Sequence, residues 1–351
     1  MKRITIGDDA AYDRQRCHIP TLRLVIWITL SSGLLGALFA YAENRPHGIA
    51  DFVNTELHGV LAGGLNGGIL SSLEILVLRG AYGASLRRLP FLPYLAIRSV
   101  LYLGIILLVL IASNLRVGIT HADIAFSLAM SLGFNLLLGV NDLLGPGVLF
   151  AFVAGRYYHP RREERILLFI DMRASTAIAE RLGEERFLDF LNRFIADLSL
   201  AIAEAGGEIH KYVGDEIIAT WTLAAGLNEG ACVRACFAAL DRLAERGPAY
   251  ERDFGCRADF RAGLHCGSVV VGELGYLKKE IALIGDSMNT AARIQEACRA
   301  TGCRVLASAA LIERIGALPV GVTGRSLGPL PMRGKKRPIS LYALETVNGA
   351  E

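Results

Sequence analysis

The sequence predicts two fold classes in series, an α-helical membrane domain of about four helices followed by an antiparallel-rich α+β domain. Three observations predict it. The 351 residues are 52% hydrophobic with a mean hydropathy of +0.39, and the excess lies before about residue 157. Within that half, residues 24–42 (LVIWITLSSGLLGALFAYA) carry no charge and are long enough to cross a bilayer. From Arg165 onward the pattern changes to alternating strand-like and helix-like segments. A chain of this length accommodates two domains.

The first membrane segment begins too far from Met1, and too many apolar segments follow it, for a cleaved signal peptide. A second segment, around 57–78, is interrupted by His58, Asn66 and Glu74. A third, around 95–113, is strongly apolar despite Arg98 near its entrance. The region 122–157 reads as one crossing with an irregular stretch at Asn141-Asp142 and Gly145-Pro146-Gly147, or as two short ones. Basic residues then set the orientation. Lys2, Arg3, Arg14, Arg16 and Arg23 place the N-terminus in the cytoplasm. Arg79, Arg87 and Arg88 do the same for the loop after the second segment, and Arg156, Arg161, Arg162 and Arg165 for the entry to the second half. The other two loops carry only Arg45 and Arg116. This alternation favours four crossings over six, and over five, with both termini inside. His58 and Glu74 are candidates for binding a ligand, a haem or an ion, or for hydrogen bonding between helices. No paired histidines at similar depth support a haem.

In the second half, ILLFID (166–171) reads as a buried strand and 174–205 as two amphipathic helices. GEIHKYV and EIIATWT form a hairpin, and 227–246 a further helix. A strand at 258–266, a second hairpin across 268–284, a helix from Asp286 to Ala300 and short strands ending in ISLYALE complete the order. The expected result is a sheet with helices on one face.

A net charge of +3 is too small to argue for nucleic acid, and no such partner is expected. The seven cysteines include no Cys-x-x-Cys pair or zinc-finger spacing, so they read as free thiols.

Chemistry concentrates in three places. Asp171 ends the first strand and is followed by MRAST and a helix, where backbone N–H groups bind phosphate and a carboxylate binds its cation. The alternative is a helix N-cap. Asp215 lies at the tip of the next hairpin, and two converging carboxylates suit a two-metal site for in-line phosphoryl chemistry. In GDSMNTAARIQ, Asn289 and Arg293 share a helix face among small apolar residues, a face expected to meet another surface. Glu216 has no assigned chemistry and is expected to face solvent or a neighbouring strand.

Five strings in one order, LLFIDMRAST, GGEIHKYVGDEIIA, FRAGLHCGSVVVGELG, EIALIGDSMNTAARI and MRGKKRPISLYAL, resemble the catalytic domain of class III nucleotidyl cyclases, specifically bacterial membrane-anchored adenylyl cyclases. The resemblance covers roughly Arg165 to Glu345. It implies a ferredoxin-like α+β core acting as a homodimer on ATP, with active sites at the subunit interface. It also implies that Asp171 and Asp215 bind two Mg²⁺ or Mn²⁺ ions, one activating the ribose 3′-hydroxyl and one holding the triphosphate. The backbone of Met172, Arg173, Ala174, Ser175 and Thr176 would cradle phosphates. Lys211 matches the lysine that reads the adenine edge, where guanylyl cyclases typically carry Glu. Asn289 would orient the ribose, Arg293 stabilise the transition state, and Arg333 or Lys335 contact the terminal phosphates. The family geometry places Lys211, Asn289 and Arg293 across the interface from the metal-binding aspartates.

Two departures stand out. A second base-reading Asp or Thr, three residues before Gly285, is Ala282 here. The usual Gly-Phe-Thr after the first metal aspartate is Ala174-Ser175-Thr176. The expected organisation is a cytoplasmic segment (1–23), a transmembrane domain (24–157) and a cyclase domain (158–351), in a multi-pass protein of the cell (inner) membrane. An unidentified ligand of the membrane domain is a further expected partner, beside ATP, a second copy and the lipid bilayer. The rival readings are a diguanylate cyclase, since VGDEI approaches GGDEF, and a catalytically degenerate receptor or scaffold. A transporter is less consistent with the small membrane half.

Overall fold

The computed structural model describes residues 19–44, 49–74, 89–113, 121–144, 152, 154–277, 279–335 and 337–347. The chain divides into two compact units, Met1–Phe150 and Ala151–Glu351.

The first unit contains helices α1 (Ile19–Asn44), α2 (Ile49–Ser72), α3 (Phe91–Ser113) and α4 (His121–Leu144). Within it, Val25–Ala42 and Leu92–Val109 are long and apolar enough to cross a membrane. Gly36 of α1 and Gly59 of α2 bring the two backbones together, since a Cβ on either would strike the other's carbonyl. Glu74, just beyond α2, is buried and paired with buried Arg98 of α3, Nη2 to Oε1 at 2.7 Å. The Tyr102 hydroxyl donates to the other Glu74 oxygen at 2.5 Å. Glu74 thus takes the helix-to-helix role, and each buried charge has the other as its counter-ion. The side chain of His58 and the stretch Gly145-Pro146-Gly147 lie outside the described residues.

The second unit is built on an eight-stranded mixed sheet. Its strands are β1 (Arg161–Met172), β2 (Glu208–Val213), β3 (Glu216–Thr222), β4 (Phe260–Leu274), β5 (Glu280–Ile284), β6 (Val305–Ser308), β7 (Val322–Leu330) and β8 (Ile339–Thr346). They run in the order β2-β3-β1-β4-β6-β8-β7, with β5 paired to the far part of β4. Every pairing is antiparallel except β4 with β6. The helices are α5 (Ser175–Leu182), α6 (Glu184–Glu204), α7 (Leu223–Leu227), α8 (Ala231–Phe254), α9 (Asp286–Thr301) and α10 (Ala309–Ile315).

Helices cover both faces of this sheet, which corrects the one-face expectation. Ile166, Leu168 and Ile170 of β1 pack with Phe190 and Phe194 of α6 and with Val233 and Phe237 of α8. The alternate residues Leu167 and Phe169 pack on the other face with Ala291, Met288 and Ala292 of α9. Side chains alternate along a strand, so a continuous apolar run is stable only when both faces are dry.

Two boundaries also differ from expectation. β4 is one strand of 15 residues rather than a strand and a separate hairpin arm. α8 continues through Pro248 to Phe254. The proline's cost is offset by the residues beyond it: Tyr250 and Phe254 meet Phe190 edge-on at 5.3 and 5.2 Å. The Tyr250 hydroxyl also donates to buried Asp197 at 2.7 Å. α7 and α8 together equal a membrane span in length and composition, but Cys232, Val233 and Phe237 place this segment in the α+β core. All six described cysteines are free thiols.

Candidate active site

Strand parity gathers the polar residues on the α9 face. Asp171, one residue before the end of β1, lies directly opposite Glu216 of β3 and Arg261 of β4. It stands two residues beyond Phe169, and so on the face that α9 covers. Asp215 follows Gly214 in the β2–β3 turn, where φ of 62° favours glycine. Burial raises the pKa of Asp171 first and the charge of Asp215 next, opposed by a hydrogen bond from Gln295 and by Arg261. The Glu216 carboxyl is pushed up to about 7 by burial, then by Asp171 and Asp215. These carboxylates therefore repel one another in a partly dry site.

A hard divalent cation relieves that repulsion, and the oxygen donors fit Mg²⁺ or Mn²⁺. Among the described residues no group of three or more His, Cys, Asp or Glu is arranged as a metal site. Two carboxylates completed by phosphate oxygens are a normal Mg²⁺ environment.

The turn after Asp171 presents backbone rather than side chains. Met172 is buried in the core, so only its peptide groups are available. Arg173 anchors the turn, its N–H donating to the Asp259 carbonyl at 2.9 Å and its guanidinium to Asp259 Oδ2 at 2.6 Å. Ala174 adopts the left-handed conformation with φ 57°, and α5 starts at Ser175 without a side-chain cap. The first helical bond runs from Ile178 N–H to the Ala174 carbonyl at 3.0 Å. The N–H groups of Ser175 and Thr176 thus lack intrahelical acceptors, the usual condition for binding an anion.

Lys211 owes its direction to a bulge. Ile209 pairs with Ala219, but Lys211 pairs with Ile218, leaving His210 as an extra residue in β2. The Lys211 ammonium donates to both oxygens of Glu280 in β5, at 3.1 and 3.3 Å.

α9 lies directly on β4. At Gly263 a Cβ would come within 2.3 Å of the Gln295 nitrogen, so only glycine permits this approach. Asn289 is exposed on α9, and Arg293 is paired with Glu296 at 2.5 Å. Lys335 is paired with Asp286, the first residue of α9, at 2.6 Å. Arg333 is exposed in the preceding turn. The fold therefore brings Asp171 to Asp215 and Lys335 to the start of α9. Among the described residues, no hydrogen bond or ion pair joins the aspartates to Lys211, Asn289 or Arg293.

Sequence reasoning passed over Gln295, Arg261 and Glu280. Gln295 carried a signal, since it lies two residues beyond Arg293 within the quoted helix. Arg261 acts through a strand neighbour and Glu280 through a residue of a non-adjacent strand, and local sequence reveals neither.

Residues 157–346 match the family described as Adenylate and Guanylate cyclase catalytic domain. Adenylate cyclase 2 of Rhizobium meliloti (strain 1021) is 34% identical over 221 residues, covering 63% of this chain and 61% of that protein. Adenylate cyclase of Anabaena cylindrica is 29% identical over 185 residues, covering 51% and 36%. The chain thus spans less than two thirds of either relative. A bacterial light-regulated adenylyl cyclase shares the fold with a TM-score of 0.55 at 20% identity, over 66% of this chain and 67% of that one. With the family match extending over more than half its length, the chain belongs to the class III adenylyl/guanylyl cyclases.

Proposed function

We propose that this protein is a membrane-bound adenylate cyclase that converts ATP to 3′,5′-cyclic AMP and pyrophosphate. The observation that carries the reading is the electrostatically coupled pair Asp171 and Asp215, beside the uncapped start of α5. Adenine as the base is supported by Lys211 and by the names of the relatives.

Asp171 and Asp215 would hold two divalent ions, which supply Lewis-acid stabilisation of phosphate charge and acidify the ribose hydroxyl. The N–H groups of Ser175 and Thr176 bind phosphate oxygens, and Arg333 or Lys335 bind the terminal phosphates. Lys211 donates to the base, while Asn289 orients the ribose by hydrogen bonding. The 3′-hydroxyl gives its proton to solvent water, and its oxygen attacks the α-phosphorus as the bond to the β-phosphate oxygen breaks and pyrophosphate leaves. Arg293 donates to the α-phosphate oxygens, where charge builds in the transition state. For this to happen it exchanges its Glu296 partner for substrate.

The lack of direct contact between the aspartates and Lys211, Asn289 or Arg293 supports an active site shared between two copies. A homodimer then has two equivalent sites and a monomer is nearly inactive. The apolar lengths of α1 and α3 support a multi-pass anchor in the cell membrane, with both termini cytoplasmic. An unidentified ligand of that anchor is the proposed input.

Purified protein with ATP and Mn²⁺ should yield cyclic AMP and pyrophosphate, and Asp171→Ala or Asp215→Ala should abolish both. Cyclic di-GMP from GTP would instead establish a diguanylate cyclase. No product from proven dimers would favour a scaffold.

A further inference from the structure

Resting on the adenylate cyclase reading, we propose that Glu280 is a base-reading residue, and that Lys211 and Glu280 together form a donor–acceptor pair for the adenine edge. The two groups come from β2 and β5, and the ammonium lies 3.1 and 3.3 Å from the carboxylate oxygens. Both side chains remain accessible, at 48% and 40% exposure. An ion pair so exposed contributes little to stability, so the fold itself does not require it.

β5 reads Glu-Ile-Ala-Leu-Ile, and Glu280 is its one polar side chain. Ile281 and Leu283 pack into the core with Val269 and Val271. Ala282, two residues beyond Glu280 on the same strand face, is buried and carries no hydrogen-bonding group. Any side-chain acceptor that β5 contributes beside Lys211 is therefore the Glu280 carboxylate.

The chemistry of the two bases explains why such an acceptor matters. Adenine presents the N1 acceptor next to the N6 amino donor. Guanine presents the O6 acceptor next to the N1–H donor. A lysine ammonium only donates, so alone it serves adenine N1 and guanine O6 alike. A carboxylate only accepts, so it binds the adenine N6 amino group and repels guanine O6 at the same place. With Lys211 on N1 and Glu280 on N6, adenine makes two hydrogen bonds, whereas guanine in the same seat sets its N1–H against the ammonium and its O6 against the carboxylate. In the free protein, each group holds the other where the base will arrive.

The 351-residue chain in detergent tests this. The kcat and KM for ATP and for GTP are measured for wild type, Glu280→Gln and Glu280→Asp. Binding of non-cyclisable ATP and GTP analogues is measured in parallel. Glutamine keeps the shape but offers a donor as well as an acceptor. It should cut the ATP-over-GTP ratio of kcat/KM about tenfold or more, mainly through KM for ATP, because a hydrogen-bonding pocket loses its discrimination with its partner. Glu280→Asp should keep most of the preference, and analogue binding should follow the same order. An unchanged ratio, or equal losses with both nucleotides, would overturn the proposal. So would a gain in ATP turnover in Glu280→Gln, which would make Glu280 a mask on Lys211. If wild type forms no cyclic nucleotide, the adenylate cyclase reading fails instead, and the analogue preferences of wild type and Glu280→Gln still decide the role of Glu280.

Discussion

Ile209 and Lys211 stand two residues apart in β2, yet their strand partners belong to opposite faces of the sheet. Ile209 lies opposite Ala219, in the core beneath α6 and α8, whereas Lys211 lies opposite Ile218, on the α9 face. His210, inserted between them, reverses the alternation. With the same residues and no bulge, the Lys211 ammonium would point at the aromatic core. Deleting Tyr212 moves Lys211 one pair toward the turn, opposite Ile217 on the core face, and is expected to raise the KM for ATP about tenfold or more. Deleting His210 removes only the extra residue and leaves Lys211 opposite Ile218, so it should remain near wild type. Steady-state kinetics of the two variants checks this, and equal behaviour would count against the face assignment.

Gly263 sets the seat of α9. In Gly263→Ala the new methyl would press on the Gln295 backbone, and overpacking of this kind costs about 1–3 kcal/mol. Because Asn289 and Arg293 ride on the same helix, cyclase turnover should fall more steeply than stability. Denaturant titration together with kcat measurement separates the two effects.

A shared active site makes a prediction about mixtures. Asp171→Ala and Arg293→Ala chains should each be inactive alone. Mixed in equal amounts, half of the dimers are mixed and each carries one intact site, so about a quarter of the activity of the same amount of wild type should return. Absence of recovery despite demonstrated mixed dimers would exclude the shared arrangement.

His265 on β4 is held neutral. Burial, and then the charge of Lys335, lower its pKa to about 4, and its Nδ1 lies 2.8 Å from the Ser308 hydroxyl. An unfolded chain takes up this proton near the ordinary histidine value of about 6.5. Between those values the unfolded state binds more protons, so this histidine's contribution to stability declines as pH falls from about 6.5 toward 4. His265→Gln should flatten that part of the stability–pH curve, measurable by thermal unfolding across the interval.

The pair Glu74–Arg98 tests the packing of the first unit. Glu74→Ala leaves a buried guanidinium without its counter-ion, a loss of about 3–5 kcal/mol in comparable buried pairs. Replacing both residues by leucine should restore much of that loss. Thermal melting of the detergent-solubilised protein reads both results.

Much of this was legible beforehand, and the failures have specific causes. Asp171 and Asp215 could be picked out because a carboxylate ending an apolar strand and a Gly-Asp turn are local features. The run ILLFI also carried the answer about the sheet faces. Its lack of alternation signals burial on both sides, and a helix layer on one face alone was the wrong deduction. The Gly247-Pro248 pair reads locally as a helix stop, yet the aromatic contacts of Tyr250 and Phe254 outweigh it. Gly267-Ser268 similarly resembles a break inside β4, but the ladder to β1 continues through it.

The order of elements, the apolar length of α1 and α3, and the cyclase motifs follow from the sequence alone, because each depends on neighbours along the chain. The tertiary structure was needed for the face that Lys211 occupies, the seat of α9 on Gly263, and the partner of Lys211, which lies 69 residues away in β5. Strand register and helix packing bring distant residues together through shape and burial, and neither quantity is written in any short stretch of sequence.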